Sequence, residues 1–240
     1  MPDAPRACVP HPDLVAFKYP LPHLTESLKR GRRTKVVAIG SSSTAGEPSP
    51  SGEVKIVPFP ARLELALRRH NYGCMVDVLN CGLGGQEAPE ELSRFESDVI
   101  AEAPALVIWQ VGTNAVFHDV DYNPLDIAAA IAAGLSWLAP LAMDVVLMDL
   151  QYTTAVVVPD GKLGRSEMIK KIILDAADAA KVNVFRRWAL MGQWVKDGIP
   201  LTDLTDPEDT SAQLHMSEWA TACVSQALYD AIAGAPPPTV

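Results

Sequence analysis

The chain has 240 residues, a formal net charge of −9, 48% apolar residues and 20% charged residues, with a pI near 5.0. This composition supplies a core and excludes a disordered chain, while the acidic balance argues against a nucleic-acid binder, which needs a basic face. No apolar run reaches the roughly 18 residues of a membrane span, and five histidines without an HExxH, CxxC, EF-hand or GxxxxGK pattern point to neither a metal centre nor a phosphate loop.

Residues 1–33 carry Pro2, Pro5, Pro10, Pro12, Pro20 and Pro22. Proline fixes φ and removes a donor, which predicts an extended arm with one short helix near Thr25–Lys29. Lys35–Ile39 reads as a strand, Phe59–His70 as a helix and Met75–Leu79 as a strand. Glu87–Glu102 has helical composition, with Pro89 in its first turn. The continuous apolar run Ala105–Val111 fits a strand buried on both faces. Pro124–Leu138 reads as an alanine-rich helix, Asp144–Leu150 as a strand, and Arg165–Ala180 as a helix with Met168, Ile172, Ile173 and Ala176 on one face. Val182–Phe185 is a short fifth strand and Ser217–Ala233 the last helix. Residues 234–240 are expected to fray. The alternation predicts an α/β, three-layer, flavodoxin-like doubly wound sheet of about five parallel strands, spanning residues 34–233.

Ligands of such sheets bind at the carboxyl ends of the strands, and three strand ends carry small polar turns. The first is Gly40-Ser41-Ser42-Ser43-Thr44-Ala45-Gly46, where an exposed serine would be a nucleophile or a plain helix cap. The second is Asn80-Cys81-Gly82-Leu83-Gly84-Gly85-Gln86, whose glycines either free N–H groups for an oxyanion or simply turn the chain. The third is Val111-Gly112-Thr113-Asn114, where Asn114 is an oxyanion donor or an Asx turn. His215 stands just before the last helix. Alone, each of these reads as ordinary structure.

In this order the four resemble the blocks of the SGNH hydrolase superfamily (GDSL esterases and lipases). The first block, usually Gly-Asp-Ser-Leu/Ile-Thr-Ala-Gly, is matched by Gly-Ser-Ser-Ser-Thr-Ala-Gly. The resemblance implies Ser42 as nucleophile, His215 as base, and an oxyanion hole of the Ser42 N–H, the Gly85 N–H and the Asn114 side chain, with no cofactor and no metal. It implies a serine esterase acting on small acyl esters, foremost acetyl, carbohydrates included. The absence of a long lid favours short acyl chains. The alternatives are a pseudoenzyme or silenced variant that binds without turnover, and an acyltransferase.

Three positions depart from the pattern. Ser41 replaces the first-block Asp, Ala115 replaces the Asp after Asn114, and Ala212 stands where the triad Asp is usual. Asp209, Asp206 and Asp203 lie in the same loop. Asp209, the nearest, is the substitute candidate, although a solvated loop acid is the plainer reading of it. A Ser–His dyad that runs without a carboxylate and an attenuated enzyme are the alternatives to such a substitute. Of the remaining candidates, Asp149 and Trp109 read as structural, Trp188 and Trp194 as core or dimer surface, His118 as a residue near the substrate entrance, and His11, His23 and His70 as surface. Cys8, Cys74, Cys81 and Cys223 read as free thiols, with one or two disulfides as the alternative. Met1–Pro10 has no apolar core for a secretory signal. A chain that had lost one would read alike, so cytoplasmic and exported locations both stay open.

Overall fold

The computed structural model describes residues 6–46, 56–210 and 212–237; the sequence expectations for 1–5 and 238–240 lie outside them. Two short helices, α1 (Pro12–Val15) and α2 (Pro22–Lys29), precede strand β1 (Arg33–Gly40). They are followed by α3 (Ser42–Ala45), α4 (Phe59–His70), β2 (Met75–Gly82), α5 (Ala88–Ser93) and β3 (Leu106–Gln110). Next come α6 (Thr113–Phe117), α7 (Pro124–Leu138), β4 (Asp144–Met148), α8 (Thr154–Val157), α9 (Lys162–Ala180) and β5 (Asn183–Phe185). Helices α10 (Arg187–Lys196), α11 (Leu201–Leu204) and α12 (Glu218–Ala233) complete the chain. None of the helices among the described residues is long and apolar enough to cross a membrane.

The strands form one sheet of order β2-β1-β3-β4-β5, parallel at every pairing. Side chains alternate across a strand, so the sheet divides the core in two. Val36, Ala38, Leu106, Ile108 and Val146 pack with Leu63 of α4, Trp194 of α10 and Val224 of α12. Val37, Ile39, Val107, Trp109 and Leu147 pack with Ile131 of α7 and Ile169 and Ile173 of α9. All of these side chains are buried, the Val, Leu and Ile side chains each worth about 1.5–3 kcal/mol against exposure. After β1 the chain moves outward to β2 and then returns to β3 on the other side. The carboxyl ends of β1 and β3 therefore flank the topological switch point.

The sequence expectations miss in identifiable places. The predicted helix over Glu87–Glu102 is broken: α5 ends at Ser93, and Glu96–Ile100 follows as a separate π-helical turn. Helix α10 is absent from the sequence expectations, although Trp188, Leu190, Met191 and Trp194 form its buried stripe. Trp109, Trp188 and Trp194 are all buried. The arm contributes Val15, Phe17, Leu21 and Leu24 to the core layer that also holds α12.

The free-thiol reading is overturned for one pair. Cys8 and Cys223 form a disulfide across 215 positions of sequence, while Cys74 and Cys81 are free. The bond fastens the arm to α12. Around it the Trp219 Nε1–H donates to the Arg6 carbonyl at 2.9 Å and the Trp194 Nε1–H to the Val9 carbonyl at 2.8 Å. A cross-link closing so long a loop restricts the unfolded chain, so Cys8→Ser is expected to lower stability by about 2–4 kcal/mol. Urea unfolding without reductant measures this. Equal midpoints for variant and wild type would mean that packing alone holds the arm.

Candidate active site

Small residues let the three strand-end turns dock on one another. A Cβ at Gly82 would lie 2.2 Å from the Ala45 nitrogen, so only glycine lets the end of β2 press against α3. The Leu83 N–H donates to the Gly40 carbonyl at 2.9 Å, and the Asn80 side-chain amide to the Ala45 carbonyl at 3.0 Å. These bonds join the second turn to the first. The Asn114 Nδ2 donates to the Gln86 carbonyl at 2.7 Å, joining the third turn to the second.

Gln110, at the end of β3, closes the ring. Its Oε1, almost fully buried, lies 3.1 Å from the Ser41 nitrogen and 3.0, 2.9 and 3.2 Å from the hydroxyls of Ser41, Ser43 and Thr44. The serine that replaces the usual acid at position 41 therefore points into a neutral hydrogen-bonded cluster. The Arg187 Nη1 donates to the Ser43 hydroxyl at 3.2 Å, while its Nε and Nη2 donate to the Asp149 carbonyl at 3.1 and 2.8 Å. Arg187 is fully buried. Burial pushes its pKa down to about 10, which still leaves it charged at neutral pH beneath the Ser42 turn.

Ser42, at the first position of α3, is 8% exposed, and its Oγ lies 3.1 Å from His215 Nε2. The other ring nitrogen, Nδ1, lies 2.9 Å from Asp209 Oδ2. The same carboxylate accepts the backbone N–H groups of Leu214 at 2.8 Å, His215 at 2.9 Å and Ala212 at 3.2 Å. Burial alone would raise the Asp209 pKa, but the N–H groups of His215, Leu214 and Ala212 and the charge of His215 outweigh it and hold it below the ordinary range. With its side chain 11% exposed, Asp209 is not a solvated loop acid. An ionised carboxylate can only accept, so Nδ1 carries the proton and Nε2 is the acceptor facing Ser42.

The loop behind His215 is clamped as well. The Leu214 carbonyl accepts from the Gln151 amide and, at 2.8 Å, from the Thr153 hydroxyl. The Asp206 N–H donates to the His215 carbonyl at 2.8 Å. The Arg6 guanidinium pairs with Asp203 and Asp206 Oδ1 accepts the Glu208 N–H at 3.0 Å, while Asp209 is the acid at His215 Nδ1. Gly85 has φ 79° with open space where a side chain would project. Its N–H and that of Ser42 have no acceptor among the described residues. The Tyr122 hydroxyl, its pKa pushed up to about 12 by burial and by the nearby glutamates, donates to the Gly85 carbonyl at 3.1 Å.

The structure thus joins Ser42, His215 and Asp209 directly. No hydrogen bond among the described residues links Asn114 or Gly85 to Ser42. Sequence reasoning misses Gln110, Arg187, Gln151 and Thr153, which brace the Ser42 turn and the His215 loop. His118 is exposed, 4.0 Å from Asp121. His11, a surface residue by its sequence, is half-buried and pairs with Asp197 at 2.6 Å.

A family model described as the Non-GDSL lipase-like family matches residues 7–235. The chain belongs to that family. Ser41, where GDSL members carry Asp, agrees with the family's description. A search of the curated proteins gives no match. Among solved structures, the chain is similar to LAE5, an alpha/beta hydrolase enzyme from the metagenome of Lake Arreo, Spain, at 16% identity and TM-score 0.69, covering 85% of this chain and 97% of that one. It is also similar to Axe2, an acetylxylan esterase from Geobacillus stearothermophilus, at 19% identity and TM-score 0.69, covering 83% and 94%. The fold is therefore that of the SGNH-type hydrolases.

Asp149 provides a pH test of the buried support. Burial raises its pKa to about 7, against the opposing Trp188 N–H and the charge of Arg187. A carboxyl whose folded pKa lies above its unfolded value of about 3.9 favours the folded state when protonated. That contribution is complete below about pH 4 and lost as pH rises through about 7. The stability of Asp149→Asn relative to wild type is therefore expected to increase from pH 5 to pH 8. Urea midpoints at the two pH values check this, and a difference that does not change with pH would contradict it.

Proposed function

We propose that this chain is a serine esterase that hydrolyses small acyl esters, acetyl esters of carbohydrates among them. The observation that carries the reading is the continuous hydrogen-bonded line Ser42 Oγ, His215 Nε2, His215 Nδ1, Asp209 Oδ2. His215 takes the Ser42 proton as Oγ attacks the ester carbonyl, then gives it to the leaving alcohol; water repeats the cycle on the acyl-enzyme. Asp209 holds the tautomer and stabilises the imidazolium. The Ser42 and Gly85 N–H groups and the second N–H of the Asn114 amide receive the oxyanion, each such donor being worth about 10²–10³ in rate.

The relatives support this assignment. Variants of Axe2 described as catalytic mutants exchange a serine, an aspartate and a histidine for alanine, the same three residue types that meet here. Ala212 is the main support for a pseudoenzyme; Asp209, 2.9 Å from His215 Nδ1, supports the esterase reading in its place. The Cys8–Cys223 bond favours the exported alternative, since disulfides persist in oxidising compartments.

Turnover of p-nitrophenyl acetate tests the proposal. Wild type is expected to exceed Ser42→Ala by at least about 10³ in kcat, and a fluorophosphonate is expected to label Ser42. Ala212→Asp is expected to gain nothing, because it sets a second carboxylate beside Asp209. A gain of several orders of magnitude from Ala212→Asp would identify a silenced esterase. If wild type neither turns over nor labels, the esterase reading fails.

A further inference from the structure

Two buried carboxylates beside the second turn, Glu87 and Glu91, are 1% and 0% exposed, and the mechanism above uses neither. Glu91 Oε2 accepts the Trp109 Nε1–H at 2.7 Å, which places it in the core behind the sheet. Glu87 does something different. As the residue preceding α5 it accepts the Ala88 N–H at 3.0 Å, while Glu90 accepts the Glu87 N–H at 3.1 Å. That is helix capping, for which Ser, Thr, Asp or Asn would serve.

The remaining bonds of Glu87 go to another element. Its Oε1 accepts the Gly112 N–H at 2.8 Å, and its Oε2 accepts the Ala115 N–H at 2.9 Å. These two donors bracket Asn114 in the chain. The residue before Glu87 supplies the third hold, since the Gln86 carbonyl accepts from Asn114 Nδ2. A carbonyl can only accept, so this contact fixes which end of the Asn114 amide is nitrogen. It also takes one of its two N–H groups and leaves the other for a ligand. A side chain shorter than glutamate would cap α5 without spanning to both Gly112 and Ala115. An amide in place of the carboxylate would set an NH₂ group against an N–H.

Resting on the esterase reading, we propose that Glu87 is a positioning residue for the oxyanion donor. Its carboxylate fixes the backbone on both sides of Asn114 while Gln86 fixes the side-chain amide, so one dipeptide of the second turn sets the aim of the third. Burying this carboxylate is costly, and the three N–H groups it accepts offset the cost. Glu87 touches no reacting atom and acts only through Asn114.

A double-mutant cycle on the full chain tests this with p-nitrophenyl acetate. Glu87→Gln is expected to lower kcat about 10-fold or more with KM within about twofold, as for an interaction made only in the transition state. In the Asn114→Ala background, itself slowed about 10²–10³, Glu87→Gln is expected to cost less than about twofold, because the two act as one unit. Equal losses in both backgrounds would show a merely structural role and overturn the proposal, as would unchanged kcat in the single variant. Should Glu87→Gln not fold, judged by its thermal melt, Glu87→Asp keeps the charge and is read in the same cycle. A second readout does not need activity. The side-chain amide resonances of Asn114, assigned by their loss in Asn114→Ala, are expected to shift or broaden in the Glu87 variant. Unmoved resonances overturn the proposal even if the chain hydrolyses no ester, and shifted resonances in an inactive wild type leave the positioning intact while the esterase reading fails.

Discussion

One carboxylate organises the site. Asp209 accepts three backbone N–H groups of its own loop and the Nδ1–H of His215, so a single side chain both folds the loop and orients the imidazole that the loop carries. A flexible loop could not hold a histidine at hydrogen-bond distance from a serine 173 positions away in sequence. The loop is stiff because its carbonyls are taken as well, by Gln151, Thr153 and the Asp206 N–H. The acid can stand six residues before the histidine rather than three because the chain wraps around the carboxylate, with Gln213 at φ 51° making the tight bend.

The same logic governs the Ser42 side. Parallel strands end at one rim of the sheet, and the order β2-β1-β3 brings their turns together. Hydrogen bonds between turns then convert nearness into geometry: Gln110 ties the third strand to the first turn, Asn80 ties the second turn to the first, and Gln86 and Glu87 tie the second to the third. Buried polar groups of this kind are stabilising when satisfied and costly when not. This explains why the rim is crowded with residues that are polar, buried and partnered. Arg187 and Asp149, which follow the carboxyl ends of β5 and β4, extend the network along the same rim, where the Arg187 charge reaches Ser43.

The fold is legible because continuous apolar runs mark strands buried on both faces and period-3.6 patterns mark helices: every predicted strand lies in the sheet, and Phe59–His70 and Pro124–Leu138 coincide with helices α4 and α7. The short helices α1, α3, α6, α8 and α11, of four or five residues, are not legible, since so few residues carry no periodicity. Ser42, Gly85, Asn114 and His215 are legible only as an ordered set resembling a known family. Asp209 stands out as a candidate, yet its sequence surroundings favour a solvated acid, because spacing along the chain does not reveal that a loop folds back on itself. Gln110, Glu87 and Arg187 are invisible for a related reason: each acts on a residue far away in sequence, and none belongs to a motif. The disulfide partners, 215 positions apart, are undecidable for the same cause.

The most direct test of the role given to Asp209 is the steady-state rate of Asp209→Asn on p-nitrophenyl acetate. The amide keeps the size of the side chain and one acceptor oxygen for the loop, but it no longer fixes the imidazole tautomer. A fall in kcat of about 10⁴ is expected, together with a lower thermal melt, because the amide NH₂ faces a loop N–H group that the carboxylate accepts. A rate within a few-fold of wild type would show that His215 needs no carboxylate, and the central role given to Asp209 would be wrong.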